Sequence, residues 1–242
     1  RIDLLNASHI HEIGTQVPGT WISRNSGQEH LTSIRSPVLT GPGSCGSFLV
    51  LEDGVAVRPT GFCNVNGLFE LPSEQAVAIE VIRGPASALY GSNAVHGTIN
   101  VLLPEPGPRD LRLSGETGPE RFVRGKLLVS SPGTTDKTGV AGGLLIDHDS
   151  GFRDDSDYRQ LKAFLKHSRE FNNGQLGIGF SGNALNQDTA GFLVGEDTYK
   201  DEAIRRSNPN AGSYRDANSQ RLHARFQPAA NTADRGWDAH AF

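Results

Sequence analysis

From Asp110 onward, apolar and polar residues alternate with a period of two. Leu111, Leu113 and Gly115 alternate with Asp110, Arg112, Ser114 and Glu116. Val123, Gly125, Leu127 and Val129 alternate with Arg124, Lys126, Leu128 and Ser130. Further runs start at Val140, Leu161, Leu176, Leu222 and Trp237. Successive side chains of a strand point to opposite faces, so this pattern predicts about seven strands of roughly 7–10 residues with one apolar face each. In a water-soluble sandwich that face is the core. In a membrane barrel it meets lipid and the polar face lines a wet interior. Alternation fits both.

The connections add a direction. Gly118-Pro119-Glu120 and Asn172-Asn173-Gly174 are short, Pro132–Lys137 and Gly151–Asp157 are modest, and Asn186–Asn218 spans about 33 residues. A connection that long is rare in a compact domain and is usually functional. Barrels carry short turns on the periplasmic side and long loops outside. A first strand that runs outward puts the long connection outside.

Residues 1–103 follow another pattern, with short helical and strand signals interleaved, which predicts a small α+β domain. A helix is expected from about Asn6, with Asn6 or Ser8 as N-cap and with Ile10, Ile13 and Val17 on one face, until Pro18-Gly19 stops it. Trp21–Arg24, Leu31–Arg35, Ile79–Arg83 and Thr98–Leu103 read as strands, and Ser73–Ala76 and Ser87–Gly91 as helical turns. Phe48–Val57 reads as a hairpin around Asp53-Gly54. Residues 104–109 contain three prolines and form a stiff linker, and residues 110–242 are the strand region.

Composition narrows the function classes. Gly is 29 of 242 residues, about 12% against roughly 7% in average usage, and it has no three-residue period, which excludes collagen. Hydrophobic residues at 36% and charged residues at 21% fit a folding chain. A net charge of −4 gives no basic face for nucleic acid. No apolar window reaches the ~18 residues of a transmembrane helix, which leaves a β-barrel open. The chain starts at Arg1 and has no Met, as expected of a processed or truncated exported chain. Cys45 and Cys63 stand outside any zinc spacing. In an exported protein they would close one disulfide across a short loop, worth about 3 kcal/mol; two unpaired thiols are the alternative. The eight His are scattered and give no metal pattern, and no cofactor motif occurs. Gly43-Ser44-Cys45-Gly46 has the outline of a nucleophile turn, but no base or orienter is identified for it, so no catalytic residue is assigned.

The run from Ile79 to Val101, centred on Ile82-Arg83-Gly84-Pro85 and Ala88-Leu89-Tyr90-Gly91, resembles the plug signature of TonB-dependent outer-membrane receptors. Val17-Pro18-Gly19 followed by Ile34-Arg35-Ser36, and Val50–Val55 with its Leu-Glu-Asp-Gly-Val order, resemble two earlier plug elements. The resemblance implies an α+β plug followed by the first antiparallel strands of an incomplete transmembrane β-barrel in the outer membrane of a Gram-negative bacterium. It implies energised uptake of a scarce nutrient as a ferric siderophore, cobalamin or similar chelate. TonB would act through a segment placed before Arg1. The rival is a non-transporting module that binds a ligand or a partner.

The resemblance also implies roles. Arg35 and Arg83, with Glu80 on the face opposite Arg83, are the expected plug–barrel contacts, with glutamate partners on later barrel strands. Gly84, Gly91 and Gly97 are expected at tight turns with positive φ. Ligand contacts are expected at Thr40–Ser44, at Arg58, Phe62, Asn64 and Asn66, and in the long connection at Tyr199, Arg205, Arg206, Tyr214 and Arg215. Basic and aromatic residues together would suit an anionic metal chelate.

Overall fold

A computed structural model describes residues 2–36, 48–58, 67–91, 93–133, 137–229 and 239–241. Cys45, Cys63, Phe62, Asn64, Asn66 and the 40–44 loop lie outside them.

The N-terminal unit begins with two short helices, α1 (Ile2–Leu5) and α2 (Ile10–Gly14). The N-cap of α2 is His9, whose Nδ1 accepts from the His11 amide at 3.0 Å, so neither Asn6 nor Ser8 fills that position. Ser8 instead turns its amide and hydroxyl to Glu12. The helix ends at Thr15, ahead of Pro18 and short of Val17. A hairpin follows, β1 (Thr20–Ile22) against β2 (Thr32–Ile34).

The central sheet has the order β4-β3-β6-β5, built from β3 (Phe48–Glu52), β4 (Val55–Ala56), β5 (Ala78–Arg83) and β6 (Gly97–Leu102). The β3–β4 turn places Asp53 at φ 50° and Gly54 at φ 83°, as an Asp-Gly hairpin requires. β3 and β6 are parallel, so the chain crosses over between them. The crossover holds two 3-10 turns, Gly67–Glu70 and Ser73–Gln75, then β5 and α3 (Ser87–Tyr90). Gly84 and Gly91 have positive φ, and Gly97 does not. Gly97 is needed for room instead: a Cβ there would lie 2.7 Å from the Ile82 carbonyl oxygen and 2.8 Å from Ile34 Cδ1.

The second sheet is a seven-stranded antiparallel meander: β7 (Asp110–Thr117), β8 (Val123–Pro132), β9 (Thr138–Asp149), β10 (Tyr158–Phe171), β11 (Gly174–Asp188), β12 (Tyr214–Pro228) and β13 (Ala239–Ala241). It does not close on itself. The strand number matches the alternation, but β10, β11 and β12 run to 14, 15 and 15 residues. They exceed the expected length because the ladder continues through polar stretches, such as Asn186 to Asp188 against Tyr214 to Asp216, where no apolar partner marks the period. The long connection therefore covers residues 189–213, and Tyr214 and Arg215 are strand residues. It is itself folded, with a 3-10 turn (Thr198–Lys200) and α4 (Glu202–Arg206), capped by Asp201 accepting from Ile204 N at 3.1 Å.

The sheet's two faces differ in chemistry. One presents Leu113, Val129, Leu144, Ile146, Leu161, Leu165, Ile178, Phe180 and Leu222, all exposed. The other buries Arg124, Asp147, Gln160, Lys162, Lys166, Ser181, Asn183 and Gln187 against the N-terminal unit. Leu128, Ala141 and Phe164 join that face to the core of the N-terminal unit, where Ile13, Ile34, Phe48, Val50, Leu68, Leu71, Ile99 and Val101 pack. The main apolar core, which the two units share, is thus flanked by a polar seam.

Candidate functional site

The seam is built from the inward side chains of β8 to β12. Lys162 Nζ donates to both carboxylate oxygens of Glu74, at 2.8 and 2.9 Å, and both side chains are almost wholly buried. Burial alone would raise the Glu74 carboxyl, but the Lys162 ammonium and its hydrogen bonds, with Arg124 nearby, together hold that group below the usual carboxylate range. Lys166 donates to Leu103 O at 3.2 Å and pairs with Asp53 and Glu105 at 2.8 and 2.7 Å. Arg221 pairs with Glu52 at 3.3 Å and donates to Glu70 O at 2.8 Å. Arg124 donates to the carbonyls of Ala7 and Ser8, at 2.7 and 3.3 Å, backed by Asp147 at 3.0 Å. The cations belong to the strands and most of their anionic partners to the N-terminal unit. Each strand element places its cation by parity: Gln160, Lys162 and Lys166 share the buried face of β10.

Above the seam, at the end where the β7–β8, β9–β10 and β11–β12 connections lie, is a cavity of about 1040 Å³. Its inner side is the β1–β2 hairpin tip, Arg24 to Gly27 with Glu29. Gly27 has φ 56°, and a Cβ there would lie 2.6 Å from Gln187 Oε1, so the tip packs closely against the wall strand at this glycine. Gln28 N then donates to Gln187 Oε1 at 2.9 Å. Phe122, Phe152, Arg153, Phe192 and Asn210 line the other sides. Arg153 ties two connections together by donating to Gly191 O at 2.6 Å and Ser207 O at 2.7 Å. Four of the five carboxylates at the cavity have cation neighbours: Glu12 with Arg24 at 3.9 Å, Glu116 with Arg124 at 3.8 Å, Glu120 with Arg206 at 3.9 Å and Glu29 with Arg215 at 2.9 Å; the fifth, Asp149, accepts from Gly151 N at 2.8 Å. The walls therefore offer rings, amides and carbonyls more than unpaired charge.

Beside the hairpin, His9 and His30 are buried with ring centroids 6.1 Å apart. Burial, then the neighbouring His30, holds His9 down to about 3, and burial holds His30 down to about 4.

The residues expected from sequence fall in several places. Arg83 donates to Pro18 O at 2.7 Å, Arg35 takes φ 48° beside Gly19, and Glu80 accepts from Asn100 Nδ2 at 3.0 Å. Each of these contacts stays within the N-terminal unit. Arg58 is ion-paired with Glu70. Arg205 and Arg206 lie over the Phe152 ring, at 5.9 and 4.6 Å, and Tyr199 carries Lys200 Nζ at 5.8 Å. None of Arg58, Tyr199, Arg205, Arg206 and Tyr214 lines the cavity. The hairpin tip at 24–29 was not singled out by sequence; its signal was Asn25-Ser26-Gly27 between two strand readings.

Residues 1–98 match the sequence model of the TonB-dependent Receptor Plug Domain. Among solved structures, FpvA of P. aeruginosa bound to heterologous pyoverdines matches 91% of this chain at 15% identity and a TM-score of 0.71. The ferric yersiniabactin uptake receptor FyuA of Yersinia pestis matches 90% at 20% identity and a TM-score of 0.64. The copper transporter OprC matches 95% at 14% identity and a TM-score of 0.67. This chain spans 29%, 34% and 33% of those three chains, about a third of each. Residues 1–98 are thus identified as a TonB-dependent receptor plug domain, and the unclosed meander packed against it shares the fold of these solved receptor structures.

Proposed function

We propose that this chain supplies the plug (1–103), the connector (104–109) and the leading wall (from 110) of an outer-membrane receptor. The receptor captures a scarce nutrient as a ferric siderophore, cobalamin or comparable chelate, and TonB energises its uptake. The observation that carries this reading is the cavity, which the plug's hairpin tip and three wall connections build jointly. The names of similar structures, a ferric yersiniabactin uptake receptor and a copper transporter, support it.

In this reading a ligand rests on Arg24, Gly27 and the ring of Phe192, which is 80% exposed. Concave sites with few polar anchors and aromatic walls suit ligands of this size. The tip that touches ligand is the segment hydrogen-bonded to Gln187, so occupancy at the cavity bears on the plug–wall contact. Passage inward then requires the seam to open, because the plug fills the space behind the cavity.

The test is titration of the full-length gene product with a panel of ferric siderophores and cobalamin, alongside cellular uptake of the same compounds. One chelate is expected to bind, with Arg24→Ala and Phe192→Ala each weakening it about tenfold, the scale of one lost contact of ~1.4 kcal/mol. Binding to none of the panel refutes capture of these chelates. Binding without uptake favours the non-transporting module.

A further inference from the structure

We propose that the Lys162–Glu74 pair is a register pin, the contact that fixes where along the wall strands the plug comes to rest. The proposal needs only the plug–wall geometry and stands apart from the uptake reading.

Inward side chains of a strand recur every two residues, about 6.8 Å apart. The plug lies against such rows on β8 to β12, and much of the contact, including Leu128, Ala141 and Phe164, is apolar and tolerant of sliding. Charge is not tolerant. A slide of one repeat along β10 would bring Glu74 beside Gln160, which is neutral, or Phe164, which has no donor. Glu74 would remain buried without its cation. Lys162 is the position on that face that serves it, since Lys166 already holds Asp53, Glu105 and Leu103 O. Arg221 shares two carboxylates and is 15% exposed, and Arg215 is 32% exposed against Glu29. Arg124 is as buried, but it meets the plug through the carbonyls of Ala7 and Ser8 and has its carboxylate, Asp147, on the wall itself. Lys162 and Glu74 are 1% and 4% exposed and joined through both carboxylate oxygens. A buried pair of this kind adds little net stability over an apolar pair of the same size; its attested use is to specify register.

Gln75 gives the readout. Its amide nitrogen donates to Lys162 O at 3.4 Å, and its Oε1 lies 2.7 Å from where a Cβ on Gly143 would be. Ala141 and Leu145 are one repeat to either side on β9. Three reporter pairs, Gln75→Cys with Gly143→Cys, Ala141→Cys or Leu145→Cys, are made in the full-length product with Cys45→Ser and Cys63→Ser. They are cross-linked with a short bismaleimide in native membranes. With Lys162 and Glu74 intact, the Gly143 link is expected to exceed the other two by at least tenfold. The charge-swapped Glu74→Lys/Lys162→Glu should keep that ratio. The apolar Glu74→Leu/Lys162→Met should bring it within about threefold. If the apolar variant fails to insert, Glu74→Gln/Lys162→Gln removes charge while keeping hydrogen bonds and reads the same ratio. A tenfold ratio that survives removal of charge, or that collapses in the swapped variant, overturns the proposal.

Discussion

Leu165→Arg tests whether the exposed apolar face meets lipid. Leu165 is 53% exposed on the outward face of β10. Arg159 and Phe171 each lie six residues away on the same strand. At ~3.4 Å per residue and a tilt of about 45°, each is some 14 Å from Leu165 along the membrane normal. The apolar band of an outer-membrane barrel is about 25 Å tall, so Leu165 falls near its midplane and the strand ends near its rims. Arg at a midplane position costs about 2–4 kcal/mol, a roughly 30- to 700-fold loss in the folded population. Leu111→Arg, beside the start of β7, should cost about 0–1 kcal/mol. The natural Arg169 sits nearer the rim than Leu165, with its guanidinium 5.2 Å from the Phe171 ring. The assay is equilibrium unfolding of the full-length product from phosphatidylcholine vesicles in urea, followed by gel mobility. Equal costs at 165 and 111 would refute the lipid-facing assignment.

Two further outcomes follow from the plug. His9 and His30 have folded pKa values of about 3 and about 4, below the unfolded value of 6.5, so the unfolded chain binds more protons as pH falls below 6.5. Each then removes about 2 kcal/mol by pH 5, and the low-lying Glu74 adds loss in the same direction at lower pH. Urea midpoints of the plug transition should drop steadily from pH 7 to 4.5; a flat profile down to pH 5 would show that the two rings are not buried neutral. Gly97→Ala should cost about 1–3 kcal/mol, because the new Cβ meets the Ile82 carbonyl and β6 is held between β3 and β5. An unchanged melting temperature would sink that account.

Much of the fold was legible in local pattern. Asp53-Gly54 announced a hairpin, and the period of two announced the wall strands, because turn chemistry and strand parity act over a few residues. The His9 cap was not legible, since a ring nitrogen accepting from an amide two residues on is a less common device than a hydroxyl or carboxamide. Partners were not legible either. Lys162 reads as one polar residue on a polar face, and Glu74, which gives it meaning, lies 88 positions earlier. The cavity hairpin at 24–29 is too short and polar to stand out, and its importance comes from Gln187, on a strand far along the chain.

The contacts that join plug and wall also bear on the order in which the protein assembles. Ala7 waits for Arg124, 117 residues later, Glu52 for Ser181, 129 later, and Glu70 for Arg221, 151 later. Contacts of such separation form late, after the loop entropy of closing them has been overcome. The plug's helices and central sheet pair locally and can form early, but Glu52 and Glu74 then lack their cations until β10 to β12 exist, while Glu70 has only Arg58. A plug without its wall therefore presents a flank with carboxylates open to water, and completion of the wall is the step that covers it.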